Sequence, residues 1–380
     1  MTTPPATDGP VFVALSGGVD SSVAALLLHE QGYAVEALHM TNWRDDDGYC
    51  SAADDLADAR AVAELLGLPL HHVDFTDEYR ERVFAAFLRD YERGLTPNPD
   101  VLCNREIKFG VLLAHARRLG AAALATGHYA RVTHIPEPSR LRLAADGDKD
   151  QTYFLHAVTQ QALGAAMFPL GCLTKREVRA IAGRRGLPTR AKKDSTGICF
   201  IGERPFREFL GRYIAALPGP IETADGEVIG RHDGVAYYTV GQRKGLRIGG
   251  VAGAAEAPWY VARRDIGRNA LIVVQGESHP WLWSGGLSAA GPHWIDGGGP
   301  PLGPGVEHRL RARIRHRHRL APCRLGATAD GALAVEFDEA QWAVAAGQYI
   351  VFYDDDVCLG GATITGAYSR NARDTRRLAV

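Results

Sequence analysis

Val11-Phe12-Val13-Ala14-Leu15-Ser16-Gly17-Gly18-Val19-Asp20-Ser21-Ser22 decides how this chain folds. The apolar run 11–15 reads as a buried strand, and an apolar helix pattern resumes over 23–28. Between them the chain turns through Gly17 and Gly18, which adopt positive φ without penalty and let another group approach the backbone closely. A strand turning through glycines into a helix gathers free N–H groups and the positive end of a helix dipole at one point, and that point attracts phosphate. Ser16, Ser21 and Ser22 add hydroxyl donors, and Asp20 can hold a magnesium ion or orient the loop. The stretch carries neither Gly-x-x-x-x-Gly-Lys-Ser/Thr nor the spaced glycines of a dinucleotide fingerprint.

Strand and helix signals alternate around this turn. Strands are expected over 34–40, 70–75 and 122–126. Helices are expected over 21–31, from a Ser51/Asp54 capping box to Gly67, over 76–93 and over 104–119. This alternation predicts an α/β fold: a parallel sheet with helices on both faces and ligands at the C-terminal ends of its strands. Thr174 and Glu177 form a further capping box for a helix reaching Gly186. From about Pro218 glycine and proline become frequent and β-type alternation takes over, at 236–240, 259–262 and 270–274. Beyond a glycine- and proline-rich stretch, 291–305, the segments 306–320, 332–337, 349–353 and 357–364 read as strands of a small barrel. The expected units are a nucleotide-binding domain (1–210), a small β-rich central domain (211–280) and a C-terminal β-barrel (281–380).

Bulk properties exclude several classes. The chain has 380 residues, ordinary apolar content and a net charge of −1, so any basic surface must be local. No apolar run reaches membrane-spanning length, and residues 1–9 lack the features of a signal peptide. Six cysteines without any Cys-x-x-Cys argue against a disulfide scaffold or a zinc ribbon, and predict a cytoplasmic protein with reduced thiols. His71 and His72 are adjacent on a strand and point to opposite faces, so they read as structural. Trp281, Trp283 and Trp294 read as packing for the C-terminal module.

With its serines and aspartate, the glycine turn resembles the PP-loop of ATP pyrophosphatases, which cleave ATP between the α and β phosphates and adenylate an oxygen of the substrate. Two thiols narrow the chemistry. Cys103 closes a turn-rich loop, 96–104, where a helix is expected to begin, so the dipole and the nearby Arg105 and Lys108 favour its thiolate. Asp100, three residues earlier, can act as a general acid or base. Cys199 lies in a polar, glycine-bearing segment with Lys192 and Lys193 close in sequence. Cys50, Cys172, Cys323 and Cys358 read as small buried hydrophobes.

The match then becomes specific. Asn98-Pro99-Asp100-Val101-Leu102-Cys103-Asn104-Arg105-Glu106-Ile107-Lys108-Phe109, Ala125-Thr126-Gly127-His128-Tyr129 and Lys149-Asp150-Gln151-Thr152-Tyr153-Phe154-Leu155 resemble the bacterial tRNA-specific 2-thiouridylases. So do 194–204, Gly241-Gln242-Arg243-Lys244-Gly245-Leu246 and Val357-Cys358-Leu359-Gly360-Gly361. The resemblance implies sulfur insertion at carbon 2 of the wobble uridine, position 34 of tRNA. It implies that Ala14, Leu15, Ser16, Gly17, Gly18, Val19, Asp20, Ser21, Met40 and Gly127 bind ATP with its magnesium, no metal being held by protein ligands alone. Asn98, Pro99 and Asp100 would contact the flipped target base. Cys199 would carry a persulfide sulfur, and Cys103 would release it as nucleophile, leaving a transient Cys103–Cys199 disulfide. His128, Lys149, Asp150, Gln151, Arg315, His316 and Gln348 would touch tRNA. The implied partners are glutamate, glutamine and lysine tRNAs and a cysteine desulfurase or sulfur-relay protein, with no membrane.

One further pattern is independent of the resemblance. Arg309, Arg311, Arg313, Arg315, Arg317 and Arg319 occupy alternate positions, which in one extended strand lines them up roughly 6.5 Å apart on one face. Leu310, Ala312 and Ile314 would face the core. A row of like charges calls for a counter-anion, and a phosphate backbone fits. Two other readings remain: an amidotransferase or ligase with the same glycine loop, which leaves both thiols and the arginine row idle, and a non-catalytic RNA-binding module, which leaves the intact loop idle.

Overall fold

Val11–Ala14 (β1) is a short apolar strand that lies at the centre of a five-stranded parallel sheet. The computed structural model describes residues 9–44, 52–134, 138–194, 206–215, 217–249, 256–303, 305–328 and 331–369. Val35–Thr41 (β2), Leu70–Asp74 (β3) and Ala123–Ala125 (β4) form where expected. A hairpin of Arg131–Thr133 (β5) and Arg140–Arg142 (β6) follows, then Ala166–Met167 (β7). The sheet order is β3-β2-β1-β4-β7. The chain runs outward from β1 to β3 and then returns to the opposite side through β4. The crevice beside β1 and β4 is thus the switch point at which doubly wound sheets bind ligands.

Apolar runs without alternation explain why β1, β2 and β4 are buried on both faces, as parallel strands covered by helices must be. Helix Val19–Glu30 (α1) follows the glycine turn, and helix Ala52–Leu66 (α2) packs beside it. Cys50 and Ser51 lie outside the described residues. The Thr174/Glu177 capping box is present, with each partner satisfying the other's backbone N–H at the head of helix Lys175–Arg184. His71 and His72 do point apart: His71 pairs with Glu36 at 2.6 Å, and His72 with Thr41 at 2.9 Å.

Several expectations are corrected. The helix expected from Asn104 begins at Pro99, so Cys103 lies a full turn inside it rather than at its N-terminus. Pro99 is well suited to the first helical position, and the stretch Cys103–Leu112 is wound as a wide π-helix. Residues 236–240 form no strand; Val235–Tyr237 is a single 3-10 turn. Cys172 is exposed, whereas Cys323 and Cys358 are buried, and burial pushes the Cys323 thiol up to about 12.

The central domain is a sheet of Gly219–Thr223 (β8), Val228–His232 (β9), Trp259–Asp265 (β10) and Ala270–Gln275 (β11), in the order β10-β11-β8-β9. The C-terminal strands are Trp283–Trp294 (β12), His308–Arg313 (β13), Ala321–Ala327 (β14), Leu333–Trp342 (β15), Tyr349–Asp354 (β16) and Val357–Tyr368 (β17). They run antiparallel as β12-β15-β14-β13-β16-β17, and β17 pairs back onto β12, closing a six-stranded barrel. Trp294 packs on Phe352, while Trp283 remains partly exposed at the start of β12. The barrel does not stand apart. The β5–β6 hairpin of the first domain adds to β17 through Leu141↔Cys358 and Val357↔Arg142, and Arg131 and Arg142 both pair with Asp356.

The arginine row is shorter than its pattern predicts, because β13 ends at Arg313. Leu310, Ala312 and Ile314 do face the barrel core. Arg313 is 7% exposed and pairs at 3.0 Å with Asp150, which is 1% exposed and also accepts from Ala144 N and Thr152 Oγ1. A buried charge survives only with such a partner set. Replacing Asp150 by Ala strands the Arg313 guanidinium, and urea unfolding is expected to show a loss of about 3–5 kcal/mol. The double variant Asp150→Ala/Arg313→Met recovers part of that loss; an unchanged midpoint for the single variant contradicts the pairing.

Candidate functional site

The glycine turn forms one wall of the site. Gly17 has φ +75°, and a Cβ there would lie 2.3 Å from the Asp55 carbonyl oxygen, so glycine is required twice over. Gly18 caps α1 without using a side chain. Ser21 Oγ accepts from Ser16 N at 3.2 Å and donates to the Gly18 carbonyl, and Ser22 Oγ donates to the same carbonyl. The hydroxyls therefore brace the loop from within. Gly127, just past β4, meets the loop from the other side: its missing Cβ would lie 2.7 Å from Ser21 N. Ala14, Met40 and Gly127 thus stand at or just beyond the C-terminal ends of adjacent strands, and Leu15 continues β1 by donating its N–H to the Leu38 carbonyl.

Charged groups surround this turn, and the sequence reading missed some of them. Lys175, at the head of its capped helix, reaches both Asp20 oxygens at 2.8 Å, and Tyr129 OH donates to Asp20 at 2.9 Å. Lys175 also reaches Asp194 at 2.7 Å, and Asp194 takes Lys149 at 2.9 Å and Arg179 at 2.5 Å. Against the upward push of burial, these lysines hold the Asp194 carboxyl well below the usual carboxylate range. Lys192 pairs with Asp55 and Asp58 of α2. A lysine that follows a capping-box threonine reads only as a helix start, so its reach to Asp20 had no sequence signal.

The helix from Pro99 forms a second wall. Asn98 occupies its N-cap position with its side chain uncommitted to capping. Burial raises the Asp100 carboxyl above its ordinary value, opposed by Lys108, so this group keeps a proton to higher pH than a free aspartate. Cys103 is buried. Lys108 Nζ lies 3.4 Å from His128 Nε2, and His128 Nδ1 lies 2.7 Å from Thr126 Oγ1, which ties this helix to the end of β4. Asn104 Nδ2 donates to the Phe154 carbonyl and ties the helix to the 149–155 segment. In that segment Gln151 Oε1 accepts from Tyr129 N.

The remaining sites expected from sequence fall close by or outside view. His316 Nε2 bonds the Asp150 carbonyl at 2.8 Å, Arg315 donates to the Val240 and Ala343 carbonyls, and Gln348 donates to the Thr96 carbonyl at 2.9 Å. Asp150 spends its carboxylate on Arg313, Thr152 and Ala144, so only its neighbours Lys149 and Gln151 have side chains directed to other partners. Cys199 lies outside the described residues; Asp194, five positions earlier, is the described residue nearest to it in sequence on that side. Among the described residues no cluster of His, Cys, Asp and Glu could hold a metal ion, and no helix is long and apolar enough to cross a membrane.

His128 carries a pH consequence. Burial first, and then the Lys108 charge, hold its imidazole well below 6.5. Below pH 6.5 an unfolded histidine takes up a proton that folded His128 refuses, so the unfolded state binds more protons and stability drops as the pH is lowered. Urea midpoints measured from pH 7.5 to 5 should decline, and His128→Gln should flatten the decline by up to about 1.4 kcal/mol per pH unit. An identical slope in the variant would assign the effect to other histidines.

Comparison with known proteins agrees with this architecture. Three family models match in succession: the tRNA methyl transferase HUP domain over residues 9–203, the tRNA methyl transferase PRC-barrel domain over 207–275, and the aminomethyltransferase beta-barrel domain over 284–364. The tRNA-specific 2-thiouridylase MnmA of Verminephrobacter eiseniae is 53% identical over 94% of this chain and 98% of its own length. Its counterpart in Alcanivorax borkumensis is 54% identical over 96% of this chain and 99% of its own length.

Proposed function

The chain belongs to the tRNA-specific 2-thiouridylase family, and on that premise we propose that it replaces the 2-oxygen of the wobble uridine, position 34, of tRNA with sulfur at the expense of ATP. The observation that carries the reading is convergence. The glycine turn, Gly127-His128, the Lys149–Gln151 loop and the Asn98–Cys103 helix start are far apart in sequence, yet hydrogen bonds link them around the C-terminal ends of β1 and β4. The methyl transferase wording of the family models finds no support in these residues, whereas adenylation followed by sulfur attack uses both the turn and a thiol.

In this reading Ser16, Gly17, Gly18, Ser21 and Gly127 cradle the polyphosphate of ATP, which is a substrate, on a loop whose close packing against the Asp55 and Ser21 backbone requires the glycines at 17 and 127. Asp20 and Lys175 flank it, and Asp20 would hold the magnesium that accompanies ATP. The uridine 2-oxygen attacks the α-phosphorus and pyrophosphate leaves. Adenylation makes chemical sense because an oxygen bound to carbon leaves poorly, whereas AMP leaves well. The Cys103 thiolate attacks the persulfide on Cys199, forming the Cys103–Cys199 disulfide and releasing hydrosulfide. Hydrosulfide then adds at carbon 2 and AMP departs. Two electrons from a cellular thiol reduce the disulfide, and a cysteine desulfurase or sulfur-relay protein reloads Cys199. Asp100, protonated more readily than a free aspartate, supplies or takes the proton at the base.

Asn98, Pro99 and Asp100 contact the extruded base. The proposed tRNA contacts are His128, Lys149, Asp150, Gln151, Arg315, His316 and Gln348, with Asp150 acting through the loop it holds rather than through its buried carboxylate. The substrates are glutamate, glutamine and lysine tRNAs, the enzyme works in the cytoplasm, and the units 1–210, 211–280 and 281–380 act as ATP, central and RNA-binding domains. Cys199→Ser and Cys103→Ser are each expected to lower transfer of labelled sulfur to tRNA at least a hundredfold while leaving tRNA affinity within about twofold. Retained transfer in either variant would remove that thiol from the mechanism.

A further inference from the structure

The four residues Gly94 to Pro97, immediately before the proposed base-contact residues Asn98–Asp100, are gripped by both of the other domains. From the barrel, Thr96 N donates to the Ala346 carbonyl at 2.9 Å, and Gln348 Nε2 donates to the Thr96 carbonyl at 2.9 Å. Gly347 sits so close that a Cβ there would lie 2.7 Å from both Leu95 Cβ and Thr96 N. From the central domain, the Thr239 and Thr96 hydroxyls lie 3.1 Å apart, and Arg264 donates from one terminal nitrogen to Thr96 Oγ1 and from the other to the Tyr238 carbonyl, each at 3.0 Å. Gly94, at φ +72°, packs under the Ile266 side chain.

Arg264 is the unusual member. It is 5% exposed, and among the described residues its bonds go to a carbonyl and a hydroxyl rather than to a carboxylate. Burial lowers its guanidinium to about 10, with Tyr91 opposing. An unpaired buried cation is costly to keep. The strand also makes a local irregularity to place it. Between Val261 and Arg263 the β10–β11 register slips, so Arg264 rather than Arg263 stands opposite Leu271, on the buried face shared with Val261 and Val273. Arg263 turns instead onto the ring of Trp281.

We infer that Arg264 is a positioning residue for thiolation: through the Thr96 hydroxyl it lets the central domain set where the Asn98–Asp100 base contact stands. The inference rests on the proposed function and assigns the central domain a task in it. Nothing passes covalently through Arg264; it fixes the end of a short connection whose next residues begin the helix bearing Asp100 and Cys103. Small displacements at such a connection reduce turnover because the reacting groups must stand in narrow geometry.

The test is a double-mutant cycle on the full-length enzyme with Thr96→Val, Arg264→Gln and the pair. Each single variant is expected to lower kcat for tRNA thiolation about tenfold, with ATP affinity within twofold and melting temperature within a few degrees. The pair should lose no more than the worse single variant. Arg264→Lys, which can reach one acceptor but not both, should recover activity in part. Losses that multiply, or that follow melting temperature, overturn the inference. If Arg264→Gln does not fold, Thr96→Val alone decides by the same criteria. Amide hydrogen exchange over residues 98–104 separates this inference from the catalytic reading. It should quicken about tenfold in both single variants whether or not the wild-type protein thiolates tRNA, and unchanged exchange ends the inference in either case.

Discussion

Asp150 and Arg313 form an ion pair that water barely reaches, and the arrangement of the site depends on it. Taking two charges out of water costs least when neighbours meet their remaining hydrogen-bonding capacity. Here Thr152 and Ala144 satisfy the Asp150 carboxylate and the Tyr353 ring lies against the Arg313 guanidinium, whose Nε has no hydrogen-bond partner among the described residues. The pair pins one short loop of the nucleotide-binding domain to a barrel strand more than 160 positions further along the chain. Everything on that loop inherits a fixed position: Lys149 on the Asp194 cluster, Gln151 on Tyr129, and the Asp150 carbonyl under His316.

The first domain and the barrel behave as one scaffold for the same reason. The β5–β6 hairpin extends the barrel sheet, and the largest hydrophobic core includes Val351, Tyr353 and Cys358 alongside residues of the first domain. The central domain is a separate sheet with its own core, and it meets the scaffold at the Thr96 junction, through Val240 against Ala343 and Ala345, and through Tyr260, Ala262 and Val274 against Leu282 and Trp342. Packed support from both neighbouring domains suits an enzyme that must seat a bulky RNA and still hold its reacting groups in place.

Much of this was legible in the sequence because local rules were strong. Apolar runs gave β1, β2 and β4, with glycines following the first and last of them, and the Thr174/Glu177 box marked a helix start that the structure reproduces. Long-range choices were not legible. The β5–β6 strands are three residues each, rich in arginine, and exist because Val357 and Asp356 complete them from the far end of the chain. The arginine row misled because alternation was continued past the end of β13, where the chain bends and Arg313 turns inward to Asp150. Pro99 reads as part of a turn in the sequence, but proline also fits the first helical position, and the helix starts there. Arg264 carried no signal, since a one-residue slip in a strand decides which of two adjacent arginines is buried.

The most direct measurement is nucleoside analysis of unmodified tRNA incubated with the full-length protein, ATP and a persulfide donor. The account predicts 2-thiouridine at position 34, formed one for one with AMP and pyrophosphate and absent without ATP. Thiolation at another position or another ring atom, or a methylated nucleoside in its place, would contradict it.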